Sequence, residues 1–311
     1  MEQKNTAKFA FFYMLSLVAL IFMALSTGMI IFQIINKNIP DILNIYQGAF
    51  SSGQLKYAIS ALIISAPIFY VCMKQIYSNL KTGELEKDSG IRKWLTYFIL
   101  FISSVVMIGW LIGTVNTFLN GDMTAKFILK AITALLISAA VFSFYLYDIK
   151  RVDVIGVNKV IKIYFYSSLA IILATFVASL FAVESPVQTR ARKYDSLVLG
   201  NFNNINSAIN SYYKEYKKMP GGLNELKGEY SYLGEDSTKD PEKKNEFEYR
   251  IVGENTYELC AEFKTSNKNN DNDNGDYSYY KEKWPHEAGY QCLKQKVHDE
   301  NIKDEIPVPV R

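Results

Sequence analysis

The chain has 311 residues, a net charge of +3 and 49% hydrophobic residues, with a mean hydropathy of 0.00. Those averages conceal a division near Val183: residues 1–184 hold 15 Lys/Arg against 9 Asp/Glu, while residues 185–311 hold 19 against 22. The halves therefore carry +6 and −3, and neither has the basic excess that neutralising a nucleic-acid backbone requires.

In chain order, five segments are long and apolar enough for membrane spans: Phe9 to Ile35, Leu55 to Met73, Trp94 to Leu119, Phe127 to Tyr147 and Ile163 to Val183. A helix needs about 20 apolar residues to cross a bilayer core, because only a closed hydrogen-bond ladder survives in hydrocarbon. The second segment carries Pro67, where a kink is expected. The first is too long for a signal-peptide core and lacks a small-residue cleavage site. Loop charge sets the orientation. With a cytoplasmic N-terminus, the inside segments collect Lys4, Lys8, Lys74, Lys81, Lys87, Arg92, Lys93, Lys150, Arg151, Lys159 and Lys162. The outside loops then hold Lys37, Lys56, Lys126 and Lys130. Five crossings leave everything after Val183 outside the cytoplasm, at a cell (inner or plasma) membrane.

Two stretches of this half repeat. Ala58 to Phe69 reads AISALIISAPIF and Ala131 to Phe142 reads AITALLISAAVF, identical at 8 of 12 positions. Tyr13, Met23 and Asn36 align more weakly with Tyr97, Met107 and Asn120. Spans 1–2 and 3–4 thus read as two tandem helical hairpins in parallel orientation, followed by one further span. A transporter would keep ionisable groups at mid-membrane, and the span centres have none. Gln33 and Asn116 lie near the outer ends of spans 1 and 3, where a paired amide would hold helices together. Gly109 and Gly113 form a GxxxG spacing, suited to close helix packing within the chain or between chains. Cys72, alone in span 2, reads as inert packing.

The run RKWLTYFILF from Arg92 to Phe101, the APIF segment of span 2 and FYLYDIK from Phe144 to Lys150 give residues 7–151 a resemblance to a bacterial integral-membrane family. That family is catalogued only as a domain of unknown function. The resemblance implies a four-helix membrane module and no activity.

Beyond the spans, Ser185-Pro186 reads as an N-cap with proline in the first helical position. Val198, Phe202, Ile205, Ile209, Tyr212 and Tyr216 then recur at spacings of four and three, one apolar stripe on a helix from Pro186 to Lys218. Pro220-Gly221-Gly222 is expected to stop it. The stripe suits a seam against the domain's own sheet, the alternative being a coiled coil with a partner. Glu246 to Val252 and Tyr257 to Phe263 alternate as strands around a Gly253-Glu254-Asn255 turn, with a third strand from Tyr290 to Val297. The expected fold of residues 185–311 is α+β, one long helix on a small antiparallel sheet, ending in a polar tail.

Cys260 and Cys292 are the cysteines outside the spans. In an oxidising compartment they are expected to form a disulfide, closing a loop of about 31 residues worth about 3–4 kcal/mol. The loop NKNNDNDNGD, Asn267 to Asp276, lacks an aspartate at 270 and a glutamate at 281. It therefore departs from a calcium-loop pattern and reads as a solvated hairpin tip. His286 has no second ligand at a metal spacing and reads as a packing residue; the other histidine is His298. No nucleophile stands near a base in sequence, and no glycine loop suits a phosphate. No cofactor, metal or enzymatic activity is expected.

The helix ending YYKEYKKMPGGLNEL from Tyr212 to Leu226, then Asp240-Pro241, then FEYRIVGENTYELCAEF, give residues 163–297 a resemblance to the globular region of type II secretion pseudopilins and type IV pilins. The family's leader, cleavage glycine and following glutamate do not stand here, so the resemblance implies a fold and not prepilin processing. The expected function is a structural or interaction role in the bacterial cell envelope, with the lipid bilayer and an envelope protein or a second copy as partners. The alternative is a small transporter or channel component built from the repeated hairpins.

Overall fold

A computed structural model describes residues 2–39, 49–82, 89–151, 158–230, 233–268 and 283–297. Residues 269–276 of the expected hairpin tip, Lys281, His298 and the C-terminal tail lie outside them. The chain divides into two compact units, Met1–Glu184 and Ser185–Arg311.

The first unit is built of α1 (Glu2–Asn38), α2 (Ser52–Thr82), α3 (Gly90–Leu119), α4 (Ala125–Lys150) and α5 (Lys159–Ala182). All five are long and apolar enough to cross a membrane. α2 runs through Pro67 as one helix. Side-chain oxygens start two of the helices: Thr124 accepts from the Phe127 N–H, and Asn158 from those of Val160 and Ile161. Each hairpin packs on itself, and α1 touches all four other helices. Equivalent repeat positions are buried in both copies, Ala58 with Ala131 and Ser65 with Ser138. The copies are nonetheless not equivalent, because α5 packs on α1 and α2. Met23 in α1 is buried and its counterpart Met107 only half-buried, and Tyr13 is half-buried while its counterpart Tyr97 is 61% exposed.

The second unit opens with α6 (Pro186–Tyr216). The Ser185 hydroxyl accepts from the Gln188 N–H, and Lys217 closes the helix in the left-handed region at φ 52°. The helix thus ends before the proline expected to stop it. A short α7 (Leu223–Glu229) and a 3-10 turn (Glu235–Thr238) follow. The sheet has the order β1-β2-β3, antiparallel throughout. Its strands are β1 (Glu248–Gly253), β2 (Thr256–Phe263) and β3 (Gly289–Lys296).

The apolar stripe of α6 is the seam to this sheet. Val198, Phe202, Ile205 and Ile209 are fully buried with Tyr257 and Leu259. Phe202 lies edge-on to Phe247, Phe263 and Trp284 at 5.0, 6.1 and 5.5 Å. Each such side chain contributes about 1.5–3 kcal/mol by leaving water. The stripe ends before Tyr216, which is 42% exposed. Ile251 also departs from the expected burial: it pairs in register with the buried Tyr257, but on the edge strand of the sheet it is left 49% exposed.

Candidate functional site

Four helix ends meet where α1 and α3 begin and α2 and α4 end, here termed the near end. Asp148 sits in the last turn of α4 and is the acceptor there. Its Oδ2 takes a hydrogen bond from Arg92 Nη2 at 2.8 Å, and its Oδ1 one from the Tyr77 hydroxyl at 3.1 Å. Arg92 Nη2 also donates to the Asp148 main-chain carbonyl at 2.9 Å, satisfying one of the carbonyls a helix C-terminus leaves open. Arg151, the residue capping α4, brings its Nε to 3.0 Å from Asp148 Oδ1. Its guanidinium lies 5.1 Å from the Tyr77 ring centroid. The Arg92, Asp148 and Arg151 side chains are 4, 10 and 5% exposed. One buried carboxylate thus serves two buried guanidinium groups. Tyr13 of α1 lies within electrostatic reach of all three, and among the described residues its buried hydroxyl has no hydrogen-bond partner, nor do Arg151 Nε and Nη2.

At the far end, where α1 stops, Gln33 is 3% exposed. Its Nε2 donates to Gln54 Oε1 at 2.7 Å, and its Oε1 accepts from the Ser51 N–H at 2.8 Å. The expected partner, Asn116, is exposed on α3. The amide therefore joins α1 to the start of α2, its own hairpin partner, and not to α3. Lys37 Nζ donates to the Ala182 carbonyl of α5 at 3.1 Å, closing the same end.

Among the described residues, a Cβ placed on Gly109 or Gly113 meets nothing within 4 Å, so no close helix contact forms at either glycine there. α3 buries Arg92, Leu95, Thr96, Ile99, Leu100 and Ser103, all in its first half, and the glycines lie beyond that stretch on an open face. A neighbouring helix does approach Gly28 of α1, whose Cβ would lie 3.6 Å from Ile137 Cδ1 of α4.

In the second unit, Cys260 and Cys292 stand directly opposite one another on β2 and β3 and form the expected disulfide. Cys72 is a buried free thiol. The buried acids of this unit are engaged in holding chain segments together. Asp195 of α6 is fully buried and accepts from the Lys264 N–H at 2.8 Å, and from the Thr265 N–H and hydroxyl at 2.7 and 2.6 Å. Asp240 Oδ1 accepts from the N–H groups of Glu242 and Lys243, both at 2.8 Å, and Oδ2 from the Tyr194 hydroxyl at 2.5 Å. Desolvation opposes ionisation of Asp240, yet these hydrogen bonds win and hold its carboxyl below the usual range.

His286 is fully buried, stacked on Phe263 at 4.0 Å with Nδ1 3.0 Å from the Trp284 carbonyl. Burial pushes its pKa down. Asn267, the first residue of the expected hairpin tip, spends its amide on the same segment. It donates to the Trp284 carbonyl at 3.0 Å and accepts from the His286 N–H at 2.9 Å. Among the described residues no three His, Cys, Asp or Glu side chains converge as metal ligands would.

Residues 10–145 match the model of a family described as a domain of unknown function, DUF5671. The match takes in α1 to α3 and most of α4, so it includes Tyr13, Tyr77 and Arg92 and stops three residues before Asp148. No curated protein and no solved structure matches the chain.

Sequence reasoning does not reach the convergence at the near end, although its members stand in view. Arg92 opens the RKWLTYFILF run and Asp148 lies in FYLYDIK, the stretches on which the family resemblance rests. A lone acid at the end of one apolar segment and an arginine at the start of the preceding one are the available signal. Two adjacent antiparallel helices bring such ends together.

Proposed function

We propose that this protein is a five-span membrane protein that displays its second unit outside the bacterial cytoplasm, for binding another envelope component or a second copy of itself. The observation that carries the reading is the cross-strand disulfide between Cys260 and Cys292. Such bonds persist where the compartment is oxidising, and five crossings from a cytoplasmic N-terminus lead there. The eleven lysines and arginines on the segments assigned inside, against four outside, favour the same orientation.

The order of parts in the second unit, a long helix, a loop through Asp240-Pro241 and then an antiparallel sheet, supports a pilin-like reading. Asp195 and Asp240 are committed to internal hydrogen bonds, which favours a role as a presented surface over one in catalysis. The two charged cores of this reading, at the near end of the spans and within the exported unit, serve assembly and not turnover. A transporter role draws less support, because Gln33 is engaged within its own hairpin. Crosslinking in intact cells with an impermeant reagent tests the proposal. It expects adducts joining the second unit to an envelope protein or to itself; a unit that never enters an adduct contradicts it.

A further inference from the structure

We propose that residues 305–309, in the tail beyond β3, add to the second unit's sheet as a fourth strand along the open edge of β1. The hydrogen-bond register defines that edge. The Val297 N–H donates to the Asn255 carbonyl at 2.8 Å, and β2 pairs with β3 without interruption. The odd-numbered residues of β2 therefore turn their backbone groups to β3 and the even-numbered ones to β1. Cys260 and Glu258 stand opposite Glu248 and Arg250, which leaves the N–H and C=O groups of Tyr249 and Ile251 pointing away from the sheet. The edge is occupied one step earlier, where the Phe247 N–H donates to the Thr238 carbonyl at 2.9 Å and Lys239 bridges Glu246. Beyond that point β1 has no strand neighbour but β2 among the described residues, and Ile251 and Val252 are 49 and 44% exposed. An open, partly apolar edge of this kind is a template for a further strand.

Two features give the edge to the chain's own tail. Val297 leaves β3 beside the β1–β2 turn, at the end of the sheet toward which β1 runs, so a chain doubling back from there runs antiparallel to β1. Ile306 follows Val297 by nine residues, about 30 Å when extended, whereas the free side of β1 lies about 15 Å away, three strand spacings from β3. The tail sequence also has the right parity. Ile306, Val308 and Val310 alternate with Glu305, Pro307, Pro309 and Arg311, the pattern of a half-buried strand. With Ile306 opposite Ile251 and Val308 opposite Tyr249, the tail N–H groups that meet β1 belong to Ile306 and Val308. Their side chains join the face on which Tyr249 packs against the core. Pro307 and Pro309 then stand where a strand's N–H would face solvent, so neither removes a ladder hydrogen bond and both blunt the new edge. Pairing stops at Val308, because Thr238 holds the next position. None of this depends on which side of the membrane the unit stands.

Hydrogen exchange of the full chain in detergent, resolved to single amides by mass spectrometry, tests the pairing. The Tyr249 and Ile251 amides should exchange slowly in the wild type and in Glu305→Pro, whose lost N–H faces solvent. Ile306→Pro removes an N–H that faces β1, and both amides should then exchange at least about tenfold faster. The Tyr257 amide, directed to β3, is the reference and should be unchanged in both variants. Fast exchange of Tyr249 and Ile251 in the wild type would overturn the proposal. So would slow exchange that survives I306P, which would give the edge to another occupant. Equal losses in E305P and I306P would rule out a paired strand. Protection that disappears on dilution into excess detergent would assign the strand to the tail of a second copy, and would likewise contradict pairing within one chain.

Discussion

Replacing Asp148 with asparagine keeps the shape of the near-end cluster and removes the carboxylate that two arginines share. The side chain would lose charge-assisted interactions with Arg92 at 2.8 Å, Arg151 at 3.0 Å and Tyr77 at 3.1 Å. Arg151 would remain buried beside Arg92 without the negative charge that separates them. Removing one partner of a buried pair costs about 3–5 kcal/mol, most of it the solvation the stranded charge cannot recover. Arg151→Gln behaves differently, because it leaves Asp148 bonded to Arg92 and Tyr77. It should cost less than about 2 kcal/mol. The ordering D148N worse than R151Q therefore follows from charge balance and not from how many hydrogen bonds each change removes. Cys72 offers the assay. It is buried in α2 and is the free thiol of the first unit, so its maleimide labelling along an SDS titration in mixed micelles reports opening of that unit alone. D148N within about 1 kcal/mol of wild type, or no worse than R151Q, would refute the argument.

Cys260 and Cys292, joined in a disulfide, should resist thiol reagents until reduced, and their double change to serine should cost about 3–4 kcal/mol in denaturant unfolding. His286 has a folded pKa below its unfolded value of about 6.5. The unfolded chain therefore binds the extra proton, and stability of the second unit is full above that pH. It should fall as pH drops toward the folded value, by at most about 1.4 kcal/mol per pH unit, and the slope should vanish in His286→Phe. Asp240 works in a more acidic range. Its lowered folded pKa contributes stability above about pH 3.9 that is lost as pH falls through the folded value. Tyr194→Phe should cost about 1–2 kcal/mol at neutral pH and less in acid, as read from urea midpoints.

Helix and strand periodicity carries much of this architecture. The five apolar stretches are α1 to α5, and the Val198-to-Tyr212 stripe is the seam to the sheet, because hydrophobic spacing reports directly on which face is buried. The disulfide is legible because two cysteines outside the spans have one economical pairing. What periodicity cannot report is which helix faces which. Gln33 and Asn116 occupy matching depths, yet Gln54 at the start of α2 lies nearer along the chain and takes the amide. Gly109 and Gly113 have the right spacing, but among the described residues no side chain or backbone comes within 4 Å of a Cβ there. α7 escapes notice because a seven-residue helix shows too little repeat to register. The Arg92–Asp148 pair, 56 residues apart, exists only once two helix ends are brought side by side.

The central claim, a second unit held outside the cytoplasm by five crossings, is tested most directly by paired reporters fused after Arg311. Alkaline phosphatase, active only after export, should give full activity, and a fluorescent protein that matures only in the cytoplasm should stay dark. Fluorescence with an inactive phosphatase would place the disulfide-bearing unit in the reducing interior and contradict the account.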